Sequence, residues 1–403
     1  MKIKRKSTSQ LHRSRVAGFL VAGGVLGAVA ASAVAASVAP APARALDACV
    51  SSGLGTFTTG SASCSSGGPL QWAIAIGANA TANVAGGLFN LALAVGTDST
   101  ANPDGSQSTA GSFNAALAWF GATATASNGN FNIAQALGVG AGAYVGGVID
   151  PELGDAVGSF NIARALGAGA SAYAGGAANA SGDPIGYFNL ARAFGPGANA
   201  EAVNGNVGLA RAIGDRSFAV AGLGDGIQVA RAFGYETTAS AFGGTAQFAR
   251  AFGYQSEAWA TDGTLNVARA GTFPYLLGGA VGARAYAEHG NGNFARAVGD
   301  GTVAKSGGGN LNLAWTGLFT RLNAANEAYA QYGNGNLAAV WGNGNTARAG
   351  GTFGTGNDRN LAIVAGQLST ANAGPGSNNR VVVLGFNKDQ SKPAAAAAAR
   401  SRR

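Results

Sequence analysis

The chain has 403 residues and a formal net charge of +8, but seven of its 26 lysine and arginine residues lie in residues 1–45, where no acidic residue occurs. The rest carries 19 basic and 18 acidic side chains, a net charge of +1, which excludes the basic footprint of a nucleic-acid-binding protein. Outside residues 1–45, His289 is the only histidine, so histidine-based triads and multi-histidine metal sites are excluded from that part of the chain.

Residues 1–45 have the pattern of an export signal. Basic side chains precede an apolar run from Val16 to Val38, and Ala43-Arg44-Ala45 follows. We expect cleavage after Ala45, a mature chain without a membrane span, and a location that is secreted or at the cell envelope surface. Two alternatives stay open: the apolar run is long enough to remain as an anchor, and Leu46–Cys49 faintly resembles a lipoprotein box.

Residues 46–70 contain the only two cysteines, Cys49 and Cys64. In an exported protein a disulfide between them is the expected state. We predict that this segment is an N-terminal cap that covers the open edge of the first repeat.

A repeated unit begins beyond the cap and occupies residues 71–385. Its clearest copies read FNIARALG, FNLARAFG, VGLARAIG, IQVARAFG and AQFARAFG, and their arginines are mostly spaced by 19 or 20 residues. A period near 19 is typical of a stacked repeat architecture. The arginines form a predicted interaction row: Arg164, Arg192, Arg211, Arg231, Arg250, Arg269 and Arg296.

The unit can be followed where the arginine is replaced, at Ile74, Leu93, Leu117 and Gln135 upstream and at Trp315, Ala339 and Ile363 downstream. This gives fourteen rungs, some with inserted residues. Each rung has two short runs of period-two alternation separated by glycine, which is a strand signal. The sequence therefore predicts an all-β fold, a parallel β-solenoid or β-roll of about 14 coils.

The alternation also predicts which face each residue occupies. Ala163 and Ala165 share one face, and Ile162, Arg164 and Leu166 share the other. Burying a column of unpaired arginines would cost several kcal/mol per ion. We therefore expect alanines inside a thin core and arginines outside, and in the second strand we expect residues such as Tyr173, Val220 and Ser240 to point outward. The alternative places the large apolar residues in the core and the arginines at bulges.

Alanines inside would leave rows of Ile, Leu, Val and Phe on both sides of the arginine row. Soluble monomers rarely expose an apolar strip of that size. We expect it to be covered by other copies of the chain, an inserted segment or a partner.

An Asn or Gln recurs three places before most arginine positions, with the parity of the inward alanines. We predict a structural ladder of amides that bond to one another and to the turn backbone. Its members are Asn132, Asn161, Asn189, Gln228, Gln247, Asn266, Asn293, Asn312, Asn336 and Asn360.

The glycine corners carry a recognisable motif. Residues 75–82 (AIGANATA) and 94–101 (AVGTDSTA) read A-h-G-x-x-[AST]-x-A, as do segments starting at Ala136, Ala165 and Ala193. This motif resembles the head repeat of trimeric autotransporter adhesins. The resemblance implies a left-handed parallel β-roll that trimerises through one face.

A second local similarity lies at residues 331–338 (QYGNGNLA), which resemble the Q-x-G-x-G-N-x-A core of curlin repeats. That resemblance implies an extracellular fibre subunit. Residues 386–403, an alanine-rich basic tail, are predicted to be disordered.

These observations predict a structural or adhesive protein, not an enzyme, that needs no cofactor. Its expected partners are other copies of itself, including as a trimer, or a polymer of the envelope or host. The alternatives are a curlin-like fibre subunit and a polysaccharide-active β-helix enzyme, although no pair of acidic residues recurs along the repeat to serve as a catalytic pair.

Overall fold

The computed structural model describes residues 47–391 except for 69, 104–110, 128, 147–148, 151–153, 156–157, 177–185, 223–225, 244, 272–281, 318–324 and 352–356. The predicted export signal (residues 1–45), Leu46 at the start of the lipoprotein-like segment, and residues 392–403 lie outside the described residues. All 35 regular elements in the described part are β-strands.

The strands are short because a glycine or Asn corner follows nearly every run of alternating residues. In chain order they are β1 (Ala48–Ser52), β2 (Gly55–Thr59), β3 (Ser63–Ser66), β4 (Trp72–Ile76), β5 (Thr81–Val84), β6 (Leu91–Val95), β7 (Thr100–Asn102), β8 (Ala115–Trp119), β9 (Thr123–Ala126), β10 (Ile133–Leu137), β11 (Gly142–Val145), β12 (Ile149–Asp150), β13 (Gly154–Asp155), β14 (Ile162–Leu166), β15 (Ser171–Gly175), β16 (Leu190–Phe194), β17 (Asn199–Val203), β18 (Gly208–Ile213), β19 (Phe218–Gly222), β20 (Gln228–Phe233), β21 (Thr238–Ala241), β22 (Gln247–Ala251), β23 (Glu257–Ala260), β24 (Val267–Ala270), β25 (Arg284–Ala287), β26 (Phe294–Ala297), β27 (Val303–Gly307), β28 (Leu313–Thr316), β29 (Glu327–Gln331), β30 (Leu337–Asn343), β31 (Thr346–Ala349), β32 (Leu361–Gln367), β33 (Thr370–Asn372), β34 (Arg380–Phe386) and β35 (Asp389–Ser391).

Two long sheets contain nearly all of these strands. Sheet A has 17 strands, β1, β2 and the even-numbered strands from β4 except β12; sheet B has 16, the odd-numbered strands from β3 except β13. From β4 onward every sheet A strand pairs in parallel with the strand one coil further on, and sheet B does the same from β3. β12 and β13 form a separate antiparallel pair. The described part of the chain is therefore a parallel β-solenoid, as predicted.

The register of sheet A follows the predicted rungs without a slip. Ile74 pairs with Leu93, and the arginines pair with one another from Arg164 onward. Trp315, Ala339 and Ile363 continue the same column. One rung was missed, since β34 adds Val382 to the column and makes fifteen parallel rungs. At about 4.8 Å per rung they extend for ~70 Å.

The core between the sheets is lined with alanine, which confirms the predicted faces. Ala163, Ala165, Ala172 and Ala200 are fully buried, and one continuous hydrophobic cluster contains the inward alanines of both sheets. Arg164 and its flanking apolar residues are only partly buried on the opposite face. The alternative with large apolar residues inside is therefore wrong.

Two outward positions of sheet B differ from expectation. Val220 and Ser240 have the outward parity but are buried. They lie in register between Glu201 and Trp259, and these longer side chains flank them along the column. Facing outward in a stack of coils therefore does not guarantee exposure.

The N-terminal segment closes one end of sheet A. β1 runs antiparallel to β4 and to β2, so the edge of the first parallel rung is already paired. Cys49 in β1 and Cys64 in β3 form a disulfide, which joins the first strands of the two sheets.

The solenoid extends past the predicted boundary at residue 385. β34 ends at Phe386, and β35 pairs in parallel with β33. Residues 386–391 therefore belong to the last coil, not to a disordered tail.

Candidate functional site

The predicted amide ladder lies at the corner where each coil enters sheet A, and all ten members are buried. The side-chain oxygen of Asn132 accepts a hydrogen bond from the backbone N–H of Asn161 at 3.1 Å. The side-chain oxygen of Asn161 accepts one from the backbone N–H of Asn189 at 2.8 Å. The amide nitrogen of Asn161 donates to the turn carbonyl of Gly186 at 2.9 Å. The expected bonds from the amides to the turn backbone are therefore present, whereas the amide oxygens here accept from main-chain N–H groups and not from one another. The amide oxygen and the amide nitrogen of Asn161 are therefore both hydrogen-bonded within the protein, which favours a structural role.

The ladder is longer than predicted, and it has a break. Asn90 and Asn114 precede it, and Asn379 follows Asn360. At Gly208 the backbone N–H still donates to Asn189, but no side chain continues the series.

A second polar column at the opposite corner escaped the sequence analysis. Asn345 donates its backbone N–H to Asn326, and Ser369 donates to Asn345, both at 2.9 Å. The column was missed in the sequence because alanine interrupts the Ser, Thr and Asn residues at this position, although the [AST] position of the corner motif marks it.

The arginine row lies on the outward face of sheet A, on β14 to β26. Consecutive arginines are register partners in six successive strand pairs, with six of the seven side chains partly buried and Arg211 exposed. We call these seven residues the arginine column. Six steps of about 4.8 Å give it a length of ~29 Å.

No carboxylate neutralises the arginine column within the described residues. The four ion pairs found there, Arg216–Glu236, Arg284–Glu257, His289–Asp262 and Lys305–Glu288, all lie elsewhere. Desolvation lowers the pKa of Arg192, and the charges of Arg164 and Arg211 lower it further. At about 5 Å, two like charges repel by roughly 1 kcal/mol even in bulk water. A row of anions laid along the column would relieve that repulsion.

Apolar rows flank the arginine column on both sides. They include Ile162 and Leu166 on β14, and Leu190 and Phe194 on β16, all partly exposed. Two guanidinium groups rest on aromatic rings. Arg269 lies 5.7 Å from the ring centre of Phe294 and Arg296 lies 5.0 Å from that of Trp315, within cation–π range.

The outward face changes character along sheet A. The outward side chains of β4, β6, β8 and β10 include no ionisable group, while the next seven rungs each carry one arginine. We call the first four rungs the uncharged block. The nearest described acid on these coils, Asp98, lies on the corner that follows β6.

A ladder of phenylalanines runs along the corner that precedes three strands of the uncharged block and the first two strands of the arginine column. Its five rings stack face to face at 4.8–5.1 Å, with successive planes within 15°. About half of each ring is exposed. The members of this phenylalanine ladder are Phe89, Phe113, Phe131, Phe160 and Phe188.

Every residue of the phenylalanine ladder has a φ near +60°, in the left-handed region. That conformation costs a residue with a Cβ roughly 1–2 kcal/mol, whereas a stacked aromatic pair returns about 0.5–1.5 kcal/mol. Gly292, Gly335 and Asn378 occupy the same corner of later coils, where the left-handed conformation is easier. Stacking therefore does little more than offset the backbone cost. Sequence analysis missed the ladder, although the repeated Phe-Asn pair was visible.

Sheet B carries a separate polar cluster on its outward face. The Tyr286 hydroxyl donates to Glu257 Oε2 at 3.2 Å, and Arg284 Nε lies 3.6 Å from the same oxygen. Burial raises the pKa of Tyr286, and Glu257 raises it further. A carboxylate held by two donors and a tyrosine with a raised pKa suit a structural pair better than an acid–base pair.

In the described ranges no helix combines the length and apolar character needed to cross a membrane. Comparison with known proteins returned no matching family model, no matching curated protein and no matching solved structure.

Proposed function

We propose that this protein is a non-enzymatic adhesive rod, secreted or displayed at the cell envelope, that binds a linear acidic polymer along sheet A. The arginine column carries this proposal: seven aligned cations in ~29 Å with no carboxylate partner in the described residues. The leader pattern of residues 1–45 and the Cys49–Cys64 disulfide support an extracytoplasmic location.

The polymer class follows from the chemistry of the column. Guanidinium groups pair with carboxylate, sulfate or phosphate, and a flat column of equal spacing suits an extended chain with anions at regular intervals. The flanking apolar rows can contact the less polar faces of sugar rings. We therefore propose an acidic polysaccharide of the envelope or of a host surface as the ligand.

Binding to immobilised polygalacturonate and heparin, with neutral dextran as the reference, tests the proposal. Replacing Arg231 and Arg250 with serine should weaken binding ~5–30-fold, at about 0.5–1 kcal/mol for each ion pair made at the protein surface. Binding should also weaken as salt is raised. Arg216→Ser is the matched control because Arg216 is exposed but lies on a corner outside the column.

Three results would contradict the proposal. Dextran would be retained as well as the acidic polymers, or Arg216→Ser would weaken binding as much as the column variant. Release of new reducing ends from either acidic polymer would support the polysaccharide-active enzyme instead.

A fibre subunit is the second candidate, and one observation favours it. In the part of the chain that the structure describes, β34 and β35 each pair on one side only, so the last coil presents open strand edges. Seeding of thioflavin-positive fibrils by preformed fibrils would support this candidate, and persistence of a discrete species would exclude it.

A further inference from the structure

We infer that two copies of the chain associate side by side through the phenylalanine ladder, with their solenoid axes antiparallel and Phe131 at the twofold axis. The arginine column takes no part in this contact, so the inference goes beyond polymer binding and does not depend on it. Four observations carry it: the exposure, the conformation and the spacing of the rings, and the placement of charge along sheet A.

The rings occupy left-handed corners that several later coils fill with other residues, among them Gly292, Gly335 and Asn378. Their conformation therefore has no need of phenylalanine, and about half of each ring lies open to solvent. An exposed apolar row of this kind marks an interaction surface.

The stacking geometry restricts the occupant. Each inner ring has both faces against neighbouring rings at about 5 Å, so the open surface consists of ring edges. A sugar ring packs on an aromatic face and finds a free one only at the two ends of the ladder. A surface that fits these ring edges must present side chains at the same rung spacing. The phenylalanine ladder of a second copy of the chain does so.

The contact area is sufficient for a specific but reversible dimer. A half-exposed phenyl ring offers roughly 100 Å², so five rings give ~500 Å² per copy. Two copies bury ~1,000 Å², near the lower limit for specific interfaces. We therefore expect a dimer that dissociates on dilution.

Charge selects the antiparallel arrangement. In a parallel pair in register, every residue of the arginine column would lie at the same level along the rod as its own counterpart in the other copy. A twofold axis through Phe131, the middle ring, places the ladder of one copy on that of the other and directs the two columns toward opposite ends. Arg164, Arg192 and Arg211 then lie level with β8, β6 and β4 of the other copy, whose outward side chains carry no charge. The dimer would present two separate columns, which increases the avidity for a long polymer.

Analytical ultracentrifugation over a dilution series from high micromolar to nanomolar concentration tests the contact. The wild type should be dimeric at the high end, and added salt should not dissociate it. Replacing Phe113 and Phe131 with asparagine, which tolerates the left-handed corner, should weaken dimerisation at least tenfold. Leu311→Asn is the matched control because Leu311 has the same corner conformation and is exposed, yet lies far along the rod.

Single cysteines test the arrangement independently, since the described residues contain no free cysteine. Under mild oxidation Phe131→Cys should form a covalent dimer and Leu311→Cys should not. Crosslinking of both variants would show a parallel pair and overturn the antiparallel model. A monomeric wild type at high micromolar concentration would overturn the inference. The inference would also be overturned if the Phe113 and Phe131 asparagine variant dimerised like the wild type but was no longer retained on uncharged phosphatidylcholine vesicles. That result would assign the ladder to a lipid surface.

Loss of dimerisation with retained polygalacturonate binding would separate the ladder from the arginine column. Loss of polymer binding in the Arg231 and Arg250 variant with dimerisation intact would separate them in the other direction.

Discussion

Replacing Ala232 with leucine tests the face assignment most directly. Ala232 is fully buried, and its register partners in the neighbouring coils are Ala212 and Ala251. A leucine adds three carbon atoms to an interior in which two sheets approach across methyl groups. Because the neighbouring coils are fixed by backbone hydrogen bonds, the sheets must separate locally or the leucine must adopt a strained rotamer. Overpacking of this kind costs about 1–3 kcal/mol.

Hydrogen exchange is the appropriate assay, since long repeat arrays often unfold in parts and a single midpoint can conceal a local change. Amides of β18, β20 and β22 should lose protection in Ala232→Leu, and those of β4 and β6 should not. Arg231→Ser, one residue away on the outward face, should alter protection by no more than about 0.5 kcal/mol. If Arg231→Ser opened the coil while Ala232→Leu left it intact, the assignment of the faces would be refuted.

Three further predictions concern the ladders, the cap and the tyrosines. Asn161→Ala leaves the N–H of Asn189 and the carbonyl of Gly186 without partners, and should cost about 1–3 kcal/mol in chemical denaturation; Asn130→Ala, whose contact with Ser112 is exposed, should cost clearly less. Cys49→Ser with Cys64→Ser should destabilise the N-terminal coils by ~3 kcal/mol, seen as faster exchange in β4 and β6, and unchanged exchange there would contradict a capping role. Burial raises the pKa of Tyr173, Tyr286 and Tyr329 above 10.0, so their contribution to stability is complete below pH 10 and is lost as the pH rises through the folded-state pKa. An ultraviolet titration should show late phenolate formation, and ionisation of these three at the ordinary tyrosine pKa would contradict the prediction.

The register of the solenoid could be predicted because one side chain marked it. Arginine at the centre of each strand, between two alanines, fixes both the period and the parity. A shift by one residue would bury the charge, so the alternatives were few. The marker also explains why rungs without arginine could be added, since both flanking alanines persist beside Ile74 and one persists beside Ile363.

The last rung was missed because its interior is different. β30 and β32 each combine an inward alanine with an inward valine, Val340 and Val364, and β34 uses Val381 and Val383. The space between the sheets at this end therefore accepts larger side chains. A sequence rule that required at least one inward alanine therefore ended one coil too early.

The phenylalanine ladder could not be found by parity, because its residues lie at corners and not within strands. Alternation predicts faces only where the backbone is extended. Once the chain adopts a positive φ, as at Phe131, the direction of the side chain depends on the turn. The ten amides share that corner, but their polarity made them visible in the sequence.

The spacing of the coils has a consequence for how such a chain can change. Arg164 and Arg192 are 28 residues apart and Arg192 and Arg211 are 19 apart, yet both pairs occupy the same register. Extra residues enter between the strands and leave the ladder undisturbed. Duplication of a coil would lengthen the arginine column by one step, while an insertion between strands would leave the register of the column unchanged. The length of the rod and the length of the segments between its strands can therefore vary independently.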